Sequence, residues 1–313
     1  MKLESLWILT NLAYGDENDI TKLLDPQYGV FAIINLILKG DDHAMIEQIL
    51  WFVGNISGEN SHFRNLIVEH TGLIDAFKTL VERQKISRYL LRTMCWVNSN
   101  IFRFKGFTHN DAEAGLKVAR AGLFSEDLDI LSDSLWAISY LCDTDDDNMI
   151  AYIAQQDLIH KVIDMMGSKD LCVYIPALRV MGNILSASDP AVIERCLWAN
   201  VLDQLANLMY QTNHNIVKES LWALSNISAG PCSHIERFVN SDVFDRVQAL
   251  TTSPNIDIRK EATFVMCNAV TGADFKIRTE IYEKTSGAVL RSFLKALRIN
   301  DYRLITNLLE AIE

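Results

Sequence analysis

The chain has 313 residues, of which 49% are hydrophobic and 22% charged, a composition that excludes intrinsic disorder. It contains 14 glycines and 5 prolines, about half the usual share of roughly 12%, which favours long helices over a turn-rich β sandwich. Lys and Arg number 29 against 40 Asp and Glu, a net charge of −11. This charge disfavours a nucleic acid as ligand and suits a cationic one, although acidic solubility explains it equally well.

The chain has no sequence signal for a membrane or for export. Its longest apolar run, Val30 to Leu38, contains Asn35 and is about half as long as a membrane-spanning helix. The first residues, MKLESLWILTN, do not form a signal peptide. We therefore expect the six cysteines to be free thiols in a reducing compartment.

A five-residue word that usually ends in Asn recurs along the chain. Its copies are WILTN, WFVGN, WVNSN, WAISY, RVMGN, WALSN and FVMCN, ending at residues 11, 55, 100, 140, 183, 226 and 268. Intervals of about 40 to 47 residues are typical of armadillo and HEAT solenoids. Each word lies in a helical pattern, preceded by a second amphipathic stretch and a shorter helix, and three helices per repeat favour armadillo units.

These patterns predict an all-α fold, a right-handed superhelical solenoid of about eight armadillo repeats of three helices each. We expect one domain over 1–313, with repeats at roughly 1–15 (partial), 16–58, 59–103, 104–143, 144–186, 187–230, 231–272 and 273–313. The chain begins and ends within word helices and shows no polar capping repeat, so we expect it to be part of a longer solenoid. Five glycines that follow words are predicted to end helices in a left-handed conformation: Gly15, Gly58, Gly106, Gly230 and Gly272.

The Trp and Asn of one word lie four residues apart and so share one side of a helix. Trp packed in the core and Asn as a hydrogen-bonded structural group is the simpler interpretation. Against it, the fifth word has Arg179 in place of Trp, and arginine is rarely buried, so this side of the helices is expected to face water.

Polar residues stand three positions before the aromatic in most words. They are Glu4, Gln48, Asp133, Glu219 and Glu261. Rows of aromatics, amides and carboxylates indicate a concave groove for an extended basic peptide. The Asn amides would bond the peptide backbone, the Trp faces would sandwich Lys or Arg stems, and the carboxylates would select the charged heads.

The words WALSN, IPALRVMGN and WAISYLCD, and RKEA before an aromatic, resemble the importin-α family over essentially the whole chain. The resemblance implies the second through ninth armadillo repeats of a nuclear import adaptor. Such an adaptor binds lysine- and arginine-rich nuclear localisation signals of cargo proteins, works in cytoplasm and nucleus, and binds neither nucleic acid nor membrane directly.

The family has a major and a minor peptide-binding site, which the resemblance transfers to matching positions. The major site would use Trp7, Asn11, Gly15, Gln48, Trp51, Asn55, Glu59, Trp96 and Asn100. The minor site would use Tyr140, Arg179, Asn183, Glu219, Trp222, Asn226, Glu261, Phe264 and Asn268.

Three residues depart from the family's pattern. Glu59 stands where the family has the aspartate that pairs with the key lysine, Thr93 replaces an asparagine, and Phe264 replaces a tryptophan. We therefore expect a displaced lysine pocket and a minor site weaker than the major one. The basic N-terminal segment by which the family recruits importin-β is not in this sequence, so importin-β is expected as a partner only if such a segment exists.

Catalysis finds little support in the sequence. CxxC, HExxH, GxGxxG, P-loop and GxSxG motifs are all absent, and we predict no enzyme activity, cofactor or metal. The acidic run from Asp143 to Asp147 lacks the glycine and distal glutamate of an EF-hand, which favours a solvated turn. Trp198 lies outside the words and is predicted to be a packing residue.

An armadillo scaffold of the β-catenin kind, organising adhesion or signalling partners, is the alternative function. That class uses basic residues to bind acidic ligands, whereas the word faces here carry Glu, Asp, Asn and Trp. The polarity of the groove therefore discriminates between the two functions.

Overall fold

The computed structural model describes residues 2–83, 86–154 and 158–313. Within these ranges the protein is all-helical, with 21 α-helices, one 3-10 helix at Pro26–Tyr28 and no strand. None of the described helices is long and apolar enough to cross a bilayer. The chain forms two compact units, Met1–Met149 and Ile150–Glu313.

The first unit begins with a word helix and continues through repeats of helices. In chain order they are α1 (Lys2–Leu12), α2 (Glu17–Leu23), α3 (Val30–Leu38), α4 (His43–Glu59), α5 (Ser61–His70), α6 (Leu73–Val81), α7 (Arg88–Phe102), α8 (His109–Gly122) and α9 (Leu128–Cys142). Repeat 104–143 has two helices instead of the expected three. Its first and second helices are replaced by the continuous α8, which starts at a capping box between Thr108 and Asp111 and has no internal break.

The division between the two units falls within α10 (Asp147–Ala154), so the second unit begins at Ile150. Its helices are α11 (Leu158–Met166), α12 (Leu171–Leu185), α13 (Pro190–Trp198), α14 (Val201–Leu208), α15 (His214–Ser228), α16 (Cys232–Val239), α17 (Val243–Leu250), α18 (Ile256–Gly272), α19 (Phe275–Lys284), α20 (Ala288–Ala296) and α21 (Tyr302–Ile312). Every word lies in the last helix of its repeat, which is the third helix in every complete repeat except 104–143.

Local sequence determines where these word-bearing helices begin. Polar N-cap side chains accept backbone N–H bonds from the first turn: Asp42, Ser87, Asp127, Asn213, Asn255 and Asp301. Asp127 also accepts two hydrogen bonds from Arg88, at 2.8 and 3.0 Å. This guanidinium lowers the pKa of Asp127, so the start of α9 is tied to the preceding word helix.

The core lies under the second and third residues of the words from the second onward. Phe52 and Val53 in α4 and Val265 and Met266 in α18 are completely buried, and the words between them repeat the pattern. In the first word Ile8 is exposed. The thiol of Cys95 on α7 is also buried, which raises its pKa to about 12. Cys95 is thus a free thiol packed in the core.

The prediction of left-handed glycines after the words was wrong at four of five positions. Gly106 alone has a positive φ, +94°, whereas Gly58 and Gly272 lie within helices. A Cβ on Gly58 would approach the Asn100 amide nitrogen to 3.2 Å, and one on Gly272 would meet Ile235 at 2.8 Å. These two glycines are needed for close approach between helices, not for a turn.

The remaining two glycines make close contacts without a left-handed backbone. Gly15 and Gly230 have no positive φ, and a Cβ there would meet Asp19 at 2.7 Å and His234 at 3.0 Å. The left-handed positions begin the second helices of repeats instead: Gly29, Gly72, Asn200 and Gly287.

Trp198 is not the packing residue that the sequence suggested. Its side chain is 72% exposed at the end of α13, and the guanidinium of Arg237 lies 4.7 Å from the ring centroid. Arg237 also donates a 2.8 Å hydrogen bond to the Leu197 carbonyl. The Trp198 ring thus lies against Arg237, a residue of the next repeat that bonds back to Leu197. This contact depends on packing between repeats, so the local sequence pattern gives no signal of it.

Candidate groove of aromatic and amide side chains

The word aromatics lie at the surface of the third helices. Trp7 is 61% exposed and Trp51 47% exposed, while Trp96, Trp136 and Trp222 are half-buried. The exposure inferred from Arg179, which is itself exposed, therefore extends to the tryptophans, with the most open rings nearest the N-terminus.

The word asparagines form a regular set of bonds between neighbouring third helices. In each case the side-chain amide nitrogen donates to the carbonyl of the fourth word residue in the preceding repeat: Asn55 to Thr10 at 3.3 Å, Asn100 to Gly54 at 3.1 Å, Asn226 to Gly182 at 3.4 Å and Asn268 to Ser225 at 3.1 Å. Asn11 donates within its own helix, to Trp7.

These bonds give the asparagines a structural role as well. Each is expected to contribute about 1 kcal/mol to stability. A carboxamide has two N–H donors and an oxygen acceptor, so one donor and the acceptor remain for a ligand. The two interpretations of the word, structural amide and ligand amide, are therefore compatible at the same residue.

Glycine at the fourth word position brings the next tryptophan down onto the helix. A Cβ on Gly54 would lie 2.1 Å from the Trp96 ring, and one on Gly182 would lie 2.1 Å from the Trp222 ring. Trp96 consequently contacts Trp51, with ring centroids 5.1 Å apart and planes inclined by 37°. A side-chain stem between two rings needs about 3.5 to 4 Å on each side, so these two rings leave no room for one between them in this structure.

Two open cavities lie beside the word aromatics of the first unit. The smaller, about 400 Å³, lies between Trp7 and Trp51. The larger, about 730 Å³, lies along Trp51 and Trp96. The smaller is lined by Trp7, Thr10, Asn11, Tyr14, Gln48, Trp51 and Asn55, and the larger by Tyr14, Glu47, Trp51, Asn55, Tyr89, Arg92, Thr93, Trp96, Asp129, Ser132 and Asp133.

The structure therefore brings together six of the nine residues predicted for the major site. Gly15, Glu59 and Asn100 belong to neither lining. Glu59 is exposed at the last residue of α4, and its assignment as the lysine-pairing acid stays a prediction. Gln48 donates a 2.8 Å hydrogen bond to the Thr10 hydroxyl, which fixes its amide at the floor of the smaller cavity.

Residues that the word alone did not assign complete the larger cavity. Tyr14 follows Asn11 by three residues and Tyr89 precedes Trp96 by seven, spacings that return to the same side of a helix. Asp129 precedes Asp133 by four residues on α9. Helical spacing outward from each word was thus a usable signal, although only the fold shows that these residues share one cavity.

Charge in the larger cavity is mostly negative. Arg92 forms an ion pair with Asp129, while Asp133 is half-buried beside them. Burial, together with the charge of Asp129 and against that of Arg92, raises the pKa of Asp133 to about 6. A cation placed near Asp133 would relieve this cost, because opposite charge favours the ionised carboxylate.

The second unit holds the residues of the predicted minor site other than Tyr140, which lies in the first unit and stacks on Trp136 at 5.8 Å. The Arg179 guanidinium lies 5.9 Å from the Trp222 ring centroid and 2.8 Å from a Glu219 carboxylate oxygen. Arg179, a cation of the chain itself, therefore already contacts the Trp222 ring and pairs with the Glu219 carboxylate.

The other predicted residues of the second unit are less open. Asn183 is buried, and Phe264 and Asn268 are half-buried. Burial raises the pKa of Glu261, opposed by Lys218 and Lys260. Within the described ranges, no group of three His, Cys, Asp or Glu side chains could hold a metal ion.

Repeats of mostly three helices, a word in the last helix of each and the amide bonds between these helices define an armadillo-repeat protein. The armadillo/beta-catenin-like repeat family matches residues 195–229. The fold agrees with solved structures: an engineered protein with a TM-score of 0.85 at 20% identity, covering 99% of this chain and 73% of that one. A designed armadillo repeat protein has a TM-score of 0.66 at 16% identity, covering 75% and 98%.

In sequence, the chain is similar to importin-α subunits, which confirms the resemblance seen in the words. It is 30% identical to importin subunit alpha-1b of Oryza sativa subsp. japonica over 228 residues, 71% of this chain and 41% of that protein. It is 31% identical to importin subunit alpha-4 of Arabidopsis thaliana, over 78% and 44%. It is 28% identical to importin subunit alpha-9 of Arabidopsis thaliana, over 96% and 59%. The chain thus spans about half the length of these relatives.

Proposed function

We propose that the protein is a nuclear import adaptor that binds lysine- and arginine-rich nuclear localisation signals as extended peptides. The observation that carries the proposal is the pair of exposed rings, Trp7 and Trp51, beside carboxylates and beside amides that each keep an unused donor and acceptor. Importin-α relatives at about 30% identity support the same role.

In this proposal each group has its own task. Asn11 and Asn55 hold the peptide backbone with the donor and acceptor that their helix bonds leave unused. The gap between Trp7 and Trp51 accepts one aliphatic stem, and each cation–π contact contributes about 0.5 to 2 kcal/mol. In the larger cavity Glu47 and Asp133 attract the charged heads.

Partners and location follow from the role. Cargo proteins with basic signals are the ligands, and the protein moves between cytoplasm and nucleus without binding nucleic acid or membrane directly. Importin-β is a partner only if the protein has a basic N-terminal segment that recruits it. One neighbour in fold, a designed armadillo repeat protein with a TM-score of 0.56, was solved in complex with the peptide (KR)4, so armadillo repeats are able to hold a basic strand.

A peptide titration tests the proposal. A fluorescein-labelled peptide containing Lys-Lys/Arg-x-Lys is titrated with the protein at low and moderate salt, alongside Trp51→Ala and Trp198→Ala variants. We expect micromolar or tighter binding that Trp51→Ala weakens by about tenfold or more, the size typical of a central aromatic contact. Trp198→Ala, an exposed tryptophan outside both cavities, is the matched control and should bind like the unmodified protein. Absence of binding at both salt concentrations would overturn the proposal.

The β-catenin-like scaffold remains testable by the same assay. An acidic peptide of equal length would bind such a scaffold. The acidic lining of the larger cavity argues against a scaffold that binds acidic ligands. Preferential binding of the acidic peptide would favour the scaffold over the adaptor.

A further inference from the structure

The contact between Trp51 and Trp96 changes what the larger cavity is able to bind. Because their ring centroids are 5.1 Å apart, a lysine stem has no slot between them. A ligand side chain must therefore lie against an open ring face. In this cavity the rings with open faces are Trp51 and two tyrosines, Tyr14 and Tyr89.

These tyrosines are the most exposed aromatics of the lining. Tyr14 is 85% exposed in the turn after α1, and Tyr89 is 73% exposed in the first turn of α7. Neither ring contributes to the core. Tyrosine rings that stand open at the edge of an acidic cavity provide flat apolar surface with a negative face, which attracts a cation lying parallel to the ring.

Carboxylates in the same cavity complete the chemistry. Glu47 and Asp133 line it, and Asp129 is already engaged by Arg92. The Arg92 pair shows that a guanidinium fits among these carboxylates. A second guanidinium would be able to bond Asp133 while its plane lies on a ring.

We propose that Tyr14 and Tyr89 make this cavity selective for an arginine side chain over a lysine. The inference rests on the proposed function and names which basic residue this part of the groove reads. Arginine is planar, more weakly hydrated than an ammonium and able to stack and bond two carboxylate oxygens at once. Lysine is a compact, strongly hydrated charge that gains most from an enclosed apolar slot, which the closed Trp51–Trp96 pair does not provide.

The test is an arginine scan of one peptide. A labelled octapeptide of lysine and its eight single Lys→Arg variants are titrated by fluorescence anisotropy at one salt concentration. For the unmodified protein, at least one position should bind arginine more tightly than lysine, by about 2- to 5-fold for each tyrosine that the guanidinium contacts. Tyr14→Ala and Tyr89→Ala should each lower this arginine-to-lysine ratio, and the double variant should return it to about one.

Tyr28→Ala provides the matched control, because Tyr28 is another exposed tyrosine of the first unit outside both cavities; it should keep the full ratio. A ratio of one at every position in the unmodified protein would overturn the inference while leaving peptide binding intact. A ratio that survives the double variant would also overturn it. Failure of all nine peptides to bind would instead overturn the proposed function and the inference with it.

Discussion

The word residues of the two units have the same spacing but different surroundings. In the first unit Trp7 and Trp51 are open and line cavities. In the second unit Arg179 lies over Trp222 and pairs with Glu219, so the aromatic and acidic groups already have a cationic partner. A ligand gains less where it must displace an existing ion pair, because that pair's desolvation and hydrogen bonds are already in place.

A repeated motif therefore does not give a repeated site. Gly54 and Gly182 place their tryptophans alike, each within 2.1 Å of a would-be Cβ. What differs is the neighbouring word. Before Trp96 it carries Trp51, whereas before Trp222 it carries Arg179. Four measurements test this contrast between the two units.

Alanine at the glycine positions should destabilise both units. Gly54→Ala and Gly182→Ala put a Cβ into Trp96 and Trp222, and overpacking of this kind typically costs about 1 to 3 kcal/mol. Urea unfolding followed by tryptophan fluorescence measures the loss. Gly40→Ala is the milder comparison and should lose less stability, since its Cβ would come no closer than 3.2 Å, to the Ile37 carbonyl oxygen. Equal midpoints for all three variants would show that the indoles do not depend on these glycines.

Removing Arg179 should make the second unit resemble the first. Arg179→Ala leaves the Trp222 face and Glu219 without their internal cation, so a basic peptide should bind about 2- to 5-fold more tightly there, the effect of one exposed cation–π contact. Peptide titration in a Trp51→Ala background isolates this unit. Arg195→Ala, at another exposed arginine of the same unit, is the matched control. Weaker binding in Arg179→Ala would mean that the arginine itself contacts the ligand.

Lowering the pH should weaken peptide binding to the first unit, because Asp133 becomes protonated. Burial raises the pKa of this carboxyl to about 6, so it is largely ionised at pH 7 and protonated at pH 5. Peptide affinity should therefore fall by about 2- to 5-fold from pH 7 to pH 5, as one carboxylate loses its charge. Asp133→Asn should bind more weakly at pH 7 and lose most of this pH dependence. An unchanged profile in the variant would assign the effect to another group.

The smallest effect is expected at Phe264. Phenylalanine has a weaker quadrupole and less stacking area than tryptophan, so Phe264→Trp should strengthen peptide binding to the second unit by about 2-fold. Competition between two single-site peptides also tests the wider expectation that this unit binds more weakly than the first. Equal affinities for the two units would contradict that expectation.

Much of the fold could be predicted because the repeat is written in local spacing. The words, the helix around each and the side shared by Trp and Asn were all readable at 3.6-residue periodicity. Left-handed glycines were misplaced because Gly58 and Gly272 serve contacts between helices. Trp198 was misassigned for a related reason, since Arg237 reaches it from the next repeat.

The sequence predicted the residues of the candidate site that belong to the words, but not the other residues that line its cavities. Tyr14, Tyr89 and Asp129 lie within one or two turns of a word, so helical spacing places them on nearby faces without saying that those faces meet. The closed pair of Trp51 and Trp96 had no local signal at all, since its cause is the absence of a side chain on an adjacent helix.

By itself, the sequence determined the repeat length, the helices and which side chains share a helix face, because these follow from interactions within a few residues. Which of those faces stay open depends instead on contacts between repeats. Trp96 lies against Gly54 and Arg179 lies against Trp222 across about one repeat of chain, and such contacts depend on how closely two helices pack, a distance that no local pattern specifies.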